Sequence, residues 1–189
     1  MSGNNKNIFT KHILNENIKL KYSNVDNNIE NSILNVLQNK IENKCIIHGF
    51  VKKDSIKILD TSSGELFSDY IIFNVQFECL IACPYESMIL NCKIESSTKV
   101  GLKCSILDED NISPYLIFIA RDHNYNNSRF SEININDNIE VRVIGYRFEL
   151  NDTFISIIAE LLELEENSKS NQSLKLNKKK SSFTKKSDL

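Results

Sequence analysis

An α+β unit followed by an all-β barrel is the fold class predicted by three features of this 189-residue sequence. A single amphipathic helix stands near the start, with Ile29, Ile33, Val36, Leu37 and Ile41 at helical spacing. From Cys45 onward the apolar period changes to two, the period of a strand. Pro84 then divides the alternating region into two sets of strands, because proline cannot donate to a sheet ladder.

Residues 1 to about 21 are polar and Asn-rich, and only "NIKLKY" alternates enough to suggest a short strand. Asp26 or Asn27 is the expected N-cap of the helix, which runs through Lys44; a short side chain with an oxygen can accept from the first unpaired N–H groups. "CIIHGFV" and "SIKILD" read as short strands around a turn at "KKD". "TSSGE" reads as a second turn, with Gly64 supplying the positive φ that such turns need. "YIIFNVQFECLIAC", residues 70–83, is a long strand whose odd positions, Phe73 to Cys83, are all apolar.

After Pro84 the strand "MILNCKIES" directs Met88, Leu90, Cys92 and Ile94 inward and Lys93 outward. "TKVGLKCSIL" directs Val100, Leu102, Cys104 and Ile106 inward and Lys99 and Lys103 outward. Gly101 there marks a bend or a close backbone approach. "YLIFIA" is a third strand and "RDHNYNNSRFSEI" a connector; residues 138–150 and 153–162 form a final hairpin across Asn151 and Asp152. Five strands with a connector between the third and fourth is the order of an OB-fold barrel. Within the hairpin, Ile139, Val141 and Val143 are apolar at odd positions, but Tyr146, Phe148 and Leu150 at even ones. A β-bulge at Ile144-Gly145 explains the flip, taking Tyr146 and Phe148 inward and leaving Arg142 and Arg147 outside; the rival is a strand that ends at Val143 and is followed by a loop. The expected organisation is an α+β domain over 1–84, a barrel over 85–164 and a disordered Lys-rich tail over 165–189.

A composition 41% hydrophobic and 25% charged is ordinary for a globular chain. There is no run of 18 apolar residues to suggest a membrane span, and "MSGNNKNIFTKH" lacks the features of a targeting peptide. An intracellular address is the expectation. Cys45, Cys79, Cys83, Cys92 and Cys104 form no CxxC pair, and with only three His in the chain they read as small buried hydrophobes; no metal is expected. The net charge of -2 hides an asymmetry: residues 167–189 carry seven Lys against Asp188 alone, so residues 1–166 are acidic. That argues against a general nucleic-acid coat and leaves any nucleic-acid contact to a local patch. The basic tail suits a nuclear-import signal, an electrostatic tether or a solubilising terminus.

No catalytic constellation is present: GxSxG, Walker, GxGxxG and HExxH motifs are all missing. His123 has no nucleophile or orienting acid at a fixed spacing, and "LDED", residues 107–110, lacks the Gly and terminal Glu of a calcium loop. No catalytic residue, cofactor or metal is therefore assigned. OB barrels bind single strands by combining a basic groove with aromatic platforms. The outward candidates for RNA contact are Lys93, Lys99, Lys103, Arg121, Arg142 and Arg147, with Tyr125 and Tyr115 as candidate aromatics. Exposed lysines on strands also serve as edge protection.

The helix leading into "KCIIHGFV", the strand pair ending at "SSGE", the strand "FNVQFECLIACPYESMI" running through proline, and a barrel containing "KVGLKC", "FIARDHNYNN" and "IEVRVIGYRFEL" together resemble a known family. They are similar to the stalk subunit of multisubunit RNA polymerases, which is the seventh subunit of the eukaryotic enzymes and has an archaeal equivalent. The resemblance covers roughly residues 8–162. It departs in a weak first strand, in Ser87 near a place where the family commonly has glycine, and in the Lys-rich tail. The divergence and the biased composition resemble a homologue from a large nucleocytoplasmic DNA virus, acting in the virion and the cytoplasmic factory of the host cell; a cellular subunit acting in the nucleus is the alternative. The resemblance implies a non-catalytic subunit whose N-terminal tip domain docks on the polymerase core near the clamp and whose barrel meets emerging single-stranded RNA. A fourth-subunit-like partner packs along both domains, and no membrane is involved. It further implies core docking through tip loops, matched here by Gly49, Asp54, Ser63, Gly64 and Glu65. A free-standing OB-fold RNA-binding protein, such as a translation factor, is the competing reading.

Overall fold

The computed structural model describes residues 8–24, 28–106, 113–124, 130 and 133–162, with the backbone alone at Asn24 and His123. Asp26, Asn27, the acidic run 107–110, Tyr125 and the Lys-rich stretch 165–189 lie outside these residues. No helix among them is long and apolar enough to cross a membrane.

The long apolar alternation forms β6 (Tyr70–Ala82), the axis of the N-terminal sheet. Its odd side chains Phe73, Val75, Phe77, Cys79 and Ile81 are all buried. One edge pairs antiparallel with β1 (Phe9–Lys21), from Phe9 opposite Ala82 to Lys21 opposite Tyr70. The other edge is shared in succession by β3 (Gly49–Val51), β4 (Lys57–Thr61) and β5 (Glu65–Phe67), and β2 (Cys45–Ile46) pairs with β3. Strand β1 is much longer than "NIKLKY" suggested. Its register is imposed by β6, so its own inward positions need not all be apolar: Glu16 pairs with Lys40 of the helix, and the His12 ring meets the Thr10 hydroxyl at 2.9 Å.

Helix α1 (Ile29–Ile41) lies on that sheet, burying Ile33, Leu37 and Ile41 with Ile18, Leu20, Val75 and Phe77. Ile29 and Val36 are exposed at the margins of its apolar stripe. The N-cap is Asn28, whose Oδ1 accepts from the Asn31 N–H at 3.3 Å, one residue beyond the expected Asn27. "CIIHGFV" proves to be a hairpin in itself, β2 turning into β3 through Ile47 and His48. Gly49 therefore takes the positive φ, +126°, where an added Cβ would lie 2.5 Å from the Ala82 carbonyl oxygen. Gly64 has no positive φ; its missing side chain makes room for Ile71 and Phe73, which a Cβ would meet at 2.5 and 2.7 Å.

Beyond buried Pro84, β7 (Ile89–Ser97), β8 (Gly101–Ser105), β9 (Tyr115–Ala120), β10 (Asn138–Arg147) and β11 (Ile155–Leu161) close a barrel in the order β7-β8-β9-β11-β10. Only β9 and β11 run parallel, which is an OB-like order. The expected bulge is present: Val143 faces Ala159 and Gly145 faces Ile158, leaving Ile144 as the extra residue. A second bulge in β7 leaves Glu95 unpaired between Ile94 and Ser96.

Several inward assignments fail because a strand ends sooner than its pattern. Strand β10 stops at Arg147, so Tyr146 (43% exposed) and half-buried Phe148 stack on one another at the barrel mouth, centroids 6.5 Å apart, and Leu150 is exposed. Val100 is 70% exposed because it belongs to the turn before β8, where the Thr98 N–H donates to the Gly101 carbonyl. Cys83 is exposed past the end of β6, whereas the other four thiols are buried; burial pushes Cys45 and Cys79 up to about 11. Tyr115 is buried rather than outward, its hydroxyl has no partner among the described residues, and burial raises its phenol well above the ordinary value.

Apolar packing continues across Pro84, since Phe9, Cys45, Phe50 and Ala82 join the barrel interior. The Cys45 N–H donates to the Asp152 carbonyl at 2.7 Å, and the Asn151 N–H to the Cys45 carbonyl at 2.9 Å.

Two glycines provide a matched test of this packing. A Cβ at Gly101 would sit 2.3 Å from the Ile119 carbonyl oxygen, while at Gly145 it would meet nothing within 4 Å. In urea unfolding, Gly101→Ala is expected to lose about 1–3 kcal/mol by forcing β8 off β9, and Gly145→Ala to change stability by less than about 0.5 kcal/mol. Glu42, just past α1, provides a second test. Burial raises its carboxyl above 4.5 and the nearby Asp54 charge adds to this, against hydrogen bonds from the Asp54 and Ile56 backbone N–H groups. A carboxyl raised on folding favours the native state below its unfolded value and loses that contribution as the pH rises through the folded one. The stability advantage of Glu42→Gln over wild type should therefore grow from pH 4.5 toward neutrality, as read by thermal unfolding across that range.

Candidate nucleic-acid interface

The strand registers convert the scattered cations into positions on the outer barrel wall. One row runs Lys103, Phe118, Ile158, Gly145 across β8, β9, β11 and β10. The next, two residues along each strand, runs Lys93, Ser105, Leu116, Ser156, Arg147 and starts from β7. Lys99 lies in the exposed turn before β8, and Arg121 follows β9 directly, its backbone N–H donating to the Val100 carbonyl at 2.9 Å.

The six candidates do not form one patch. Lys93, Lys99, Lys103 and Arg121 gather on the β8–β9 side. Arg142 and Arg147 stand on β10, beyond the strip made by β9 and β11. Through β7, which closes the barrel, β10 is two strands from β8, but Arg142 faces Ile89, four residues or about 13 Å along β7 from Lys93. The β8–β9 side is where OB barrels commonly take oligonucleotides, with the loop before β8 and the β10–β11 loop at its ends. Its aromatic residue is Phe118, half-buried beside Lys103 and lying across Gly101, whose added Cβ would meet the ring at 2.8 Å. Glycine thus seats the ring on bare backbone. Of the two expected aromatics, Tyr115 is core, and Tyr125 lies outside the described residues. Phe118 was legible as an even, outward position of "YLIFIA", but a fully apolar strand hides its outward residues. A closed barrel also has no free edge, so edge protection does not account for the strand lysines.

Three of the cations carry acids beside them. Lys103 Nζ lies 2.9 Å from Glu95 Oε2, Arg142 Nη1 3.1 Å from Glu160 Oε1, and Arg147 Nη2 2.6 Å from Glu149 Oε1. Hydrogen bonds from the Ser105 hydroxyl and from Lys103 hold the Glu95 carboxyl below its ordinary value. The Arg121 guanidinium sits 5.0 Å from the Phe130 ring centroid, a cation–π arrangement.

The docking candidates are divided too. Gly49 is buried at the barrel end of β6, and exposed Asp54 follows β3 nearby. Ser63, Gly64 and Glu65 are exposed at the opposite end, where β5 pairs with Ile72 to Tyr70. About nine strand residues, roughly 30 Å, lie between the two groups. What the sequence reading missed at that far end is apolar. Leu66 (72% exposed) lies beside Ile71 on the helix-bearing face, and Phe67 (70%) and Tyr70 lie on the other, next to exposed Tyr22. Single exposed apolar residues are normal; a hairpin end apolar on both faces is not.

No group of three or more His, Cys, Asp or Glu among the described residues could hold a metal ion. A groove of about 370 Å³ at the junction of sheet and barrel, lined by Leu14, Ile41, Ile47, His48 and Leu150 among others, also contains Glu16 and Lys40, but these are paired with each other. Cys45 lines it too, a buried thiol pushed up to about 11 by burial.

No family model matches the chain. It is similar to a protein of Acanthamoeba polyphaga mimivirus named as a candidate DNA-directed RNA polymerase subunit, 27% identical over 135 residues, or 64% of this chain. The chain spans 65% of that relative's length.

Proposed function

We propose that this protein is a non-catalytic stalk subunit of a DNA-directed RNA polymerase, docking on the polymerase core near the clamp and meeting emerging single-stranded RNA at the barrel. The observation that carries the reading is the path of β6: one strand paired along both edges runs through Pro84 straight into a closed OB-like barrel. The similarity to a viral polymerase subunit supports the same reading from the sequence side. The sheet is the tip domain in this proposal, and its two-faced apolar hairpin, Leu66, Phe67 and Tyr70, is the docking element, flanked by Ser63, Gly64 and Glu65. A hairpin apolar on both faces fits a socket between core subunits better than a flat surface. A fourth-subunit-like partner and a site of action in virion and cytoplasmic factory, or in the nucleus of a cell encoding it, belong to the same proposal.

Affinity purification of the tagged protein should recover the large polymerase subunits, identified by mass spectrometry. Leu66→Asp with Phe67→Asp should abolish that recovery while circular dichroism stays unchanged; recovery of no polymerase by the wild type would sink the proposal. Separately, Lys99→Glu with Lys103→Glu should lower RNA crosslinking at least several-fold and flatten its salt slope by about 0.7 for each phosphate that is no longer neutralised. Intact crosslinking in that variant would move the RNA off the β8–β9 side.

A further inference from the structure

We infer that Glu95 is a built-in competitor for RNA phosphate on the β8–β9 side, and that it sets how tightly this surface holds a single strand. The inference rests on the RNA-contact reading above and adds to it the residue that limits affinity. Alternation along β7 turns Glu95 outward, on the same side as Lys93, and the register of Lys93 opposite Ser105 and Ile94 opposite Cys104 aims it at Lys103. The bulge that follows brings Ser96 opposite Lys103 and leaves Glu95 as the inserted residue, out of the ladder but still 2.9 Å from the Lys103 ammonium. Lys99 lies in the turn after β7, and the Arg121 N–H donates to the Val100 carbonyl in the same turn.

Its position is fixed from two sides. Lys103 and the hydroxyl of buried Ser105, the next outward residue on β8, both bond the carboxylate. Half-exposed ion pairs of this kind contribute little to stability, because water and salt screen them. The arrangement therefore has a small structural return, while its effect on a polyanion is direct. A phosphate reaching Lys103 must displace a carboxylate already seated there. Lys93 and Lys99 have no ion pair within 4 Å among the described residues, so they remain available for first contact. Together these features describe a surface that attracts a strand and releases it readily, as suits a passing transcript rather than a stored one.

Glu160 is a matched control. It pairs with Arg142 at 3.1 Å, and its side chain is as exposed as that of Glu95, 39% in each case, but it stands on β11 beside Arg142 of β10 and not beside Lys103. The test is fluorescence anisotropy of the full chain with a labelled single-stranded RNA longer than the ~16 nucleotides that one OB barrel can cover. Glu95→Gln, which keeps an oxygen for Ser105, should tighten binding roughly five- to tenfold at low salt and steepen the salt slope by about 0.7, the value for one added phosphate contact on a single strand. Glu160→Gln should leave both unchanged. Equal gains in the two variants would reveal a net-charge effect and overturn the inference, as would a gain in Glu160→Gln alone or no gain in Glu95→Gln. Absence of binding by all three proteins overturns this inference and the RNA-contact reading together.

Discussion

The N-terminal half depends on one constraint, that β6 must be paired on both edges and buried on one face over its whole length. A strand with Phe73, Val75, Phe77, Cys79 and Ile81 on one side cannot be left open to water, and helix α1 closes that face. Its edges present unpaired N–H and C=O groups that need partners. β1 satisfies one edge completely, despite an indifferent sequence of its own, and three short strands share the other. The short strands follow from the division of labour, because each covers only a few residues before the chain turns. At its far end β6 outruns the helix, which leaves Leu66 in water, while Phe67 and Tyr70 are exposed on the opposite face; at its near end Ala82 is already part of the barrel core.

Barrel closure imposes the second constraint. Five strands can enclose a filled interior only if the longer ones bend, and the bends appear as inserted residues, Glu95 in β7 and Ile144 in β10. β4 has the same device at Leu59, between Ile58 and Asp60. A bulge changes which side chains face water beyond it, so closure of the fold and chemistry of the surface are coupled. At Glu95 the bulge takes the residue out of the ladder while leaving its carboxylate beside Lys103.

How much of this was legible in the sequence depended on which element defines its own environment. β6 and the inward residues of β7 announce themselves by uninterrupted alternation, and the Gly145 bulge was readable because parity flips across it. β1 was not readable: its register comes from a partner about sixty residues away, and inward His12 and Glu16 are polar groups bonded to their neighbours. The turn at Gly49 was hidden for a related reason. "CIIHGFV" alternates well enough to pass for one strand, and only the approach of Gly49 to Ala82 reveals a hairpin. Of the candidate site, the cations were correctly placed outside, but parity says nothing about which strands become neighbours. It could not separate Lys103 from Arg147, nor bring Phe118 beside Lys103.

Pairing cations with acids is also what distinguishes this barrel wall from a dedicated nucleic-acid store. A surface meant to retain a strand gains affinity with every unpaired cation, because each phosphate it neutralises releases counterions. Here the strand-borne Lys103, Arg142 and Arg147 are all partly neutralised at contact distance, and the residues outside the basic tail are acidic overall. An acidic body repels a polyanion at long range, and screening confines that repulsion to about 8 Å at physiological salt. On the proposed reading, contact with RNA would be favoured only where Lys93, Lys99 and Arg121 overcome it locally, next to an aromatic ring seated on glycine. Binding built this way depends on a strand already delivered to the surface, the situation that docking on a machine that extrudes RNA would provide.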